Sequence, residues 1–289
     1  MPYLIAVSLL WAFSFGLIKG RLTGLDPSAV ATVRLALAAL VFLPVFRPRK
    51  LARPAALSFA AIGAIQFGAM YILYLAAFRY LQAFEIAMFT IFTPIYVVML
   101  DAALEKRIAR SALVATALAV VGAAVLQWRS GLSANGLVGF FLMQGSNLCF
   151  AAGQVGYQRL RRHVTNTTDA QLFAWLYIGG LAATLLASLF STDWTVFVPT
   201  GDQWLTLVYL GLLASGLGFF GWNLGATKVN AGTLAVFNNL KIPLAVAVSL
   251  IVFGEEADPA KLIVSSVFML AAVLIAKRDP IASPPGSTS

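Results

Sequence analysis

Apolar runs of about 20 residues recur from one end of the chain to the other, and nothing else in the sequence limits the fold as much. A run of that length crosses roughly 30 Å of hydrocarbon as an α-helix. Inside a bilayer every backbone polar group must be satisfied without water, which helices do within themselves. The charge content agrees: 11% of the 289 residues are charged, against about a quarter in a soluble globular domain. No segment the size of a soluble domain interrupts the runs, so an all-α membrane protein is expected.

Cutting at polar, Gly and Pro punctuation predicts ten spans, at residues 3–19, 27–46, 56–79, 83–101, 110–128, 135–157, 170–190, 204–224, 231–252 and 260–277. The first run begins at Tyr3 with no basic segment before it and no small-residue cleavage pattern after Ile18, so it is read as a spanning helix and not a removed leader. Residues 280–289, which include Pro284, Pro285 and Gly286, are expected to form a disordered tail.

The net charge of +9 is carried by short clusters between apolar runs and not by one polar face, which argues against nucleic acid and for topology signals. Thirteen Lys and Arg residues fall on the side of the termini, among them Arg47, Arg49, Lys50, Arg53, Arg159 and Arg161. Five fall opposite: Lys19, Arg21, Arg79, Arg129 and Lys261. The positive-inside rule then places both termini in the cytoplasm of an inner-membrane protein, although Lys19 and Arg21 vote the other way. The single cysteine, Cys149, excludes a disulfide framework or a cysteine metal site, and neither a metal nor a cofactor is expected.

The two halves are weakly self-similar, over residues 1–133 and 134–279. Trp11 to Ser14 aligns with Gln144 to Asn147, Gly122 to Leu126 with Ala271 to Ile275, and Pro94 with Pro243, each proline preceding an acidic turn (Glu105; Glu255 and Glu256). A unit of five spans is odd, so its copy must insert in the opposite orientation, the inverted repeat of many transporters. Matched prolines are read as helix breaks beside a midplane site.

Ions and amides within apolar runs are costly and mark function or pairing. Lys241, near Asn238 and two residues before Pro243, is read as a substrate contact; pairing with Glu85 or with carbonyls freed by Pro243 is its structural alternative. Arg34, two turns past Asp26, is read as snorkelling to the interface or pairing with Asp26. Glu85 would carry a coupling proton if buried, or else bridge to Arg79. Gln144, Asn147, Gln154 and Gln158 give the sixth span one polar face, suited to a cavity or to interhelical hydrogen bonds. Trp11, Ser14, Tyr71, Tyr74, Phe89, Trp222 and Asn223 complete the expected cavity.

The paired repeats, the Trp11 and Ser14 beginning, Arg34, the prolines with acidic turns and the Gly-Ala rich fifth span resemble the drug/metabolite transporter superfamily, and within it the EamA-type ten-helix members. The resemblance covers residues 3–278 and implies a central cavity framed by helices of both repeats. It implies alternating access of a small polar or amphipathic metabolite, with amino-acid export as the first reading, by a monomer or homodimer. Departures such as Gln144 opposite Trp11 are where substrate preference would reside. The competing class, a membrane-embedded enzyme acting on lipid or peptide, lacks the residues: His163 is the only histidine, there is no His-Glu-x-x-His, and no intramembrane aspartate pair stands out, so no catalytic residue is assigned.

Overall fold

The computed structural model describes residues 2–106, 110–127, 134–164, 166–226 and 231–276, and among these no strand occurs. The side chains of Pro94, Asn223, Asn238 and Lys241 and the tail 280–289 lie outside the described residues. In the first half, α1 (Pro2–Leu17) passes into a π-helical stretch, Ile18–Leu22, and α2 spans Pro27–Phe42. A long rod follows, made of α3 (Arg53–Gly63), a π-helical stretch Ala64–Ala69 and α4 (Met70–Ala77). Then come α5 (Ala83–Phe89), α6 (Phe92–Leu104) and α7 (Arg110–Gln127). The second half holds α8 (Ala134–Arg161) and α9 (Asp169–Ser191). After them, α10 (Gly201–Val208) is joined through a π-helical stretch, Tyr209–Leu217, to α11 (Gly218–Ala226), and α12 (Ala231–Val252) and α13 (Pro259–Ala276) end the fold.

Among the described residues six helices are long and apolar enough to cross a bilayer: Leu4–Leu22, Pro27–Val45, Arg53–Ala77, Asn135–Arg161, Asp169–Ser191 and Gly201–Trp222. The other expected spans are helical as well, as α7, α12 and α13, except that the fourth is broken in two. Residues 83–101 do not form one rod. Pro94 has no N–H for the Thr90 carbonyl, so Thr93 N turns back to Thr90 O at 3.0 Å and α5 stops before α6 starts. The matched proline behaves differently, and the expectation of a second break there is corrected: α12 runs unbroken through Pro243. A membrane helix can absorb a proline where its surroundings satisfy the freed carbonyl.

The exterior is apolar, and a minority of polar groups is buried within a largely apolar core. Phe141, Leu186, Leu189, Phe190, Ile251, Ile263 and Val267 are exposed, as suits lipid, while Thr32, Arg34, Asn147, Thr184 and Ser215 are buried. Some buried hydroxyls bond back along their own helices, as Ser8 does to Leu4 O at 2.8 Å and Thr32 to Ser28 O at 2.8 Å, and others reach across, as Ser146 does to Met70 O at 3.2 Å. Helix α9 packs on α2 and α3, α7 on α13, α1 on α12 and α11, and α8 on α4 and α6. The contact of α3 with α9 is backbone to backbone: a Cβ at Gly63 would lie 1.9 Å from Leu176 O, and one at Gly179 1.8 Å from Ala60 O. Only glycine permits that approach. It is filled further along by Tyr177, stacked on Phe67 with ring centroids 4.9 Å apart.

Candidate functional site

A cavity of about 110 Å³ lies among α1, α2, α4, α8, α11 and the break between α5 and α6. It exceeds several-fold the ~10–15 Å³ that one water requires on the same measure. Helix α1 contributes Trp11, Ser14 and Phe15; α2 contributes Arg34; α4 contributes Met70, Tyr71 and Tyr74. Thr90 and Thr93 come from the α5 to α6 break, Met143, Ser146, Asn147 and Phe150 from α8, and Phe219 from α11. Both halves of the chain thus build one chamber, aromatic on several walls.

Local irregularity positions much of this lining. Where α5 ends, the Phe89 carbonyl has lost its helical donor, and Asn147 Nδ2 supplies one at 2.8 Å. Thr93 Oγ1 donates to Asn147 Oδ1 at 3.0 Å, so the amide is fixed across the break and still faces the cavity. On the opposite wall Trp11 Nε1 donates to Ala214 O at 2.9 Å, inside the second-half π-helical stretch. Trp222 stands behind Trp11, with ring centroids 5.2 Å apart. Single π-helical insertions in α-helices are common at functional sites, and here they shape the rods that carry Tyr71 and Ser215.

Arg34 is the largest departure from expectation. It neither snorkels nor pairs with Asp26: its side chain is buried, and Nη2 donates to Tyr71 Oη at 3.2 Å and Ser215 Oγ at 3.1 Å. Tyr71 Oη and Ser215 Oγ are themselves 2.8 Å apart, and Tyr177 Oη donates to Ser215 O at 2.7 Å. Asp26 is occupied elsewhere. It caps α2, accepting from Ser28 N at 3.0 Å and Ala29 N at 3.1 Å, and lies 3.9 Å from Arg79.

Of the residues singled out from the sequence, Trp11, Ser14, Tyr71, Tyr74 and Asn147 line this cavity. Three others do not. Phe89 packs edge-on against Phe140 at 5.4 Å, Trp222 backs Trp11, and Gln144 accepts from Tyr96 Oη at 3.0 Å outside the chamber. Glu85 is the third residue of α5 and accepts from Gln82 N at 2.8 Å, a helix cap and not a group within the cavity. The acidic turn of the second half reaches the same helix: Glu255 accepts from Ala83 N at 2.8 Å and Phe84 N at 3.1 Å, and Ser249 Oγ donates to it. Sequence reasoning missed Arg34 as lining, together with Phe15, Met70, Met143, Ser146, Phe150 and Phe219. Apart from Arg34, these apolar or small side chains carry no signal until helices are packed.

A helical bundle with a lipid-like exterior and a chamber shared by both halves defines the class of a membrane transporter. The profile of the EamA-like transporter family matches residues 1–128 and 137–277, and the chain belongs to that family. A probable biotin transporter of Pseudomonas aeruginosa PAO1 is 39% identical over 278 residues, covering 95% of this chain and 96% of the relative. Biotin transporters of Salmonella typhimurium LT2 and Escherichia coli K12 are each 35% identical over 280 residues, covering 96% of this chain and 93% of theirs. A crystal structure 18% identical in sequence, covering 96% of this chain and 95% of its own, has the same fold with a TM-score of 0.65. The protein is a multi-pass membrane transporter of a small molecule, and its relatives are transporters, not enzymes.

Proposed function

We propose that this protein carries biotin, or a closely related carboxylic acid, by alternating access between two five-helix halves of opposite orientation, residues 1–133 and 134–279. The observation that carries the substrate is the set of relatives named biotin transporters, matched over 95% and 96% of this chain. Cavity chemistry supports it. Biotin joins a polar ureido ring to an apolar thioether ring and a carboxylate tail, and the lining offers Asn147, Ser146 and Thr93, the faces of Trp11, Tyr71 and Phe219, and Arg34. The ammonium of an amino acid would find no carboxylate among the described lining residues, which argues against amino-acid export.

Two features support the inverted repeat. The third and eighth predicted spans both carry a π-helical stretch, Ala64–Ala69 and Tyr209–Leu217. The main helix contacts also survive exchange of the halves: α1 with α12 corresponds to α8 with α6, and α3 with α9 to the π-helical stretch Tyr209–Leu217 with α2. Ten spans and cytoplasmic termini in the inner membrane complete the reading. Expression in a biotin-requiring bacterium that lacks its own transporter should lower the external biotin needed for growth; no effect, where the Escherichia coli relative rescues, would overturn the substrate.

A further inference from the structure

Among the described residues, no carboxylate balances the cation in this cavity. Arg34 is 3% exposed and lines the chamber, and while Nη2 is held by Tyr71 and Ser215, Nε and Nη1 are buried with no acceptor. A guanidinium has one N–H on Nε and two on Nη1, so three of its five donors are unanswered. The ion pairs found among the described residues all involve other cations: Arg79, Arg159, Arg161 and Lys261. The Tyr71 ring, 4.3 Å from the guanidinium carbon, offers its π face, a partial substitute for an anion.

A buried charge with open donors is expensive, and proteins normally complete such a group with a carboxylate. Here the two groups that hold Arg34 are neutral hydroxyls, which fix its orientation and leave its charge available. We infer that Arg34 is the seat of the substrate's carboxylate: the protein supplies one half of a buried ion pair and the ligand brings the other. This deepens the proposed function by using the same cavity, but it does not depend on biotin in particular. The carboxylate enters between Arg34 and the aromatic wall, and the rest of the molecule extends toward Asn147 and Ser146 on α8. Selection for a free acid follows, because an amide or ester of the same shape would leave Arg34 unpaired. The chain would reject carboxyl-blocked forms of its own substrate.

The test uses purified full-length protein in detergent, with binding measured by calorimetry for biotin, desthiobiotin, lipoic acid and hexanoic acid, each against its primary amide. Removing one partner of a buried charge pair weakens binding by roughly 30-fold or more. Wild type should therefore prefer at least one acid over its amide by that factor. In Arg34→Gln the acid should fall to the level of the amide, with the amide unchanged, and Arg34→Lys should restore part of the preference. Equal binding of acid and amide by wild type, or an equal loss of both in Arg34→Gln, would overturn the inference, and the wild-type comparison decides even if the variant does not fold. Binding of biotin and its amide alike would leave the biotin reading standing and remove Arg34. Arg34-dependent binding of another acid but not biotin would do the reverse, and no binding by any acid would overturn the inference.

Discussion

Replacing Gly179 by Ala tests whether the backbone contact between α3 and α9 holds the site together. The new Cβ would lie 1.8 Å from Ala60 O, where ordinary contact begins at 3.4 Å, so the helices must separate by about 1.6 Å (3.4 − 1.8). A backbone oxygen cannot swing aside as a flexible side chain can. Overpacking costs typically about 1–3 kcal/mol, and the rigidity of this contact places the substitution at the upper end. Helix propensity returns about 1 kcal/mol, leaving a net loss near 2 kcal/mol. The loss would reach the cavity, because Tyr177, two residues earlier, stacks on Phe67 and donates to Ser215 O, beside the hydroxyl that holds Arg34. Gly156→Ala is the control. Its Cβ would meet only the Ile62 side chain, at 3.4 and 3.5 Å, so the propensity gain should stand nearly alone. Thermal unfolding of the two purified variants beside wild type measures the difference, and a Gly179→Ala protein as stable as Gly156→Ala would refute the reasoning.

Glu255→Ala removes the acceptor of two α5 backbone N–H groups and should cost about 1 kcal/mol, within the usual range for a lost cap, read as a lower unfolding temperature. Asn147→Leu leaves the Phe89 carbonyl and the Thr93 hydroxyl without their partner, at about 1–3 kcal/mol, and should also weaken transport, whereas Ser8→Ala, outside the cavity lining, should leave transport intact. Glu85→Gln keeps a side chain able to cap α5, so transport and its pH profile should persist; a lost pH dependence in a folded variant would return Glu85 to proton coupling.

How far the sequence could be read depended on the range of the interaction. Helical segments were legible because a bilayer imposes length and apolarity on each one separately, and Trp11, Ser14, Tyr71, Tyr74 and Asn147 stood out as polar or aromatic residues deep in apolar runs. Arg34 was misread because its surroundings are distant in the chain: Tyr71 lies 37 positions away and Ser215 181. Counted from Asp26 along its own helix, it looked shallow enough to reach the interface. The π-helical stretches left no mark either, since a single wide turn does not change the apolar pattern of a run. Glu255 appeared as an acidic turn, but its contact with α5 arises only when the second half packs on the first. Pro94 and Pro243 looked equivalent, yet only the first ends a helix.

Reconstitution into liposomes tests the central claim most directly, with radiolabelled biotin inside or outside and the Escherichia coli relative reconstituted in parallel. The account predicts saturable flux that unlabelled biotin suppresses and biotinamide does not. Flux no greater than that of empty liposomes in both directions, while the relative transports, would contradict it.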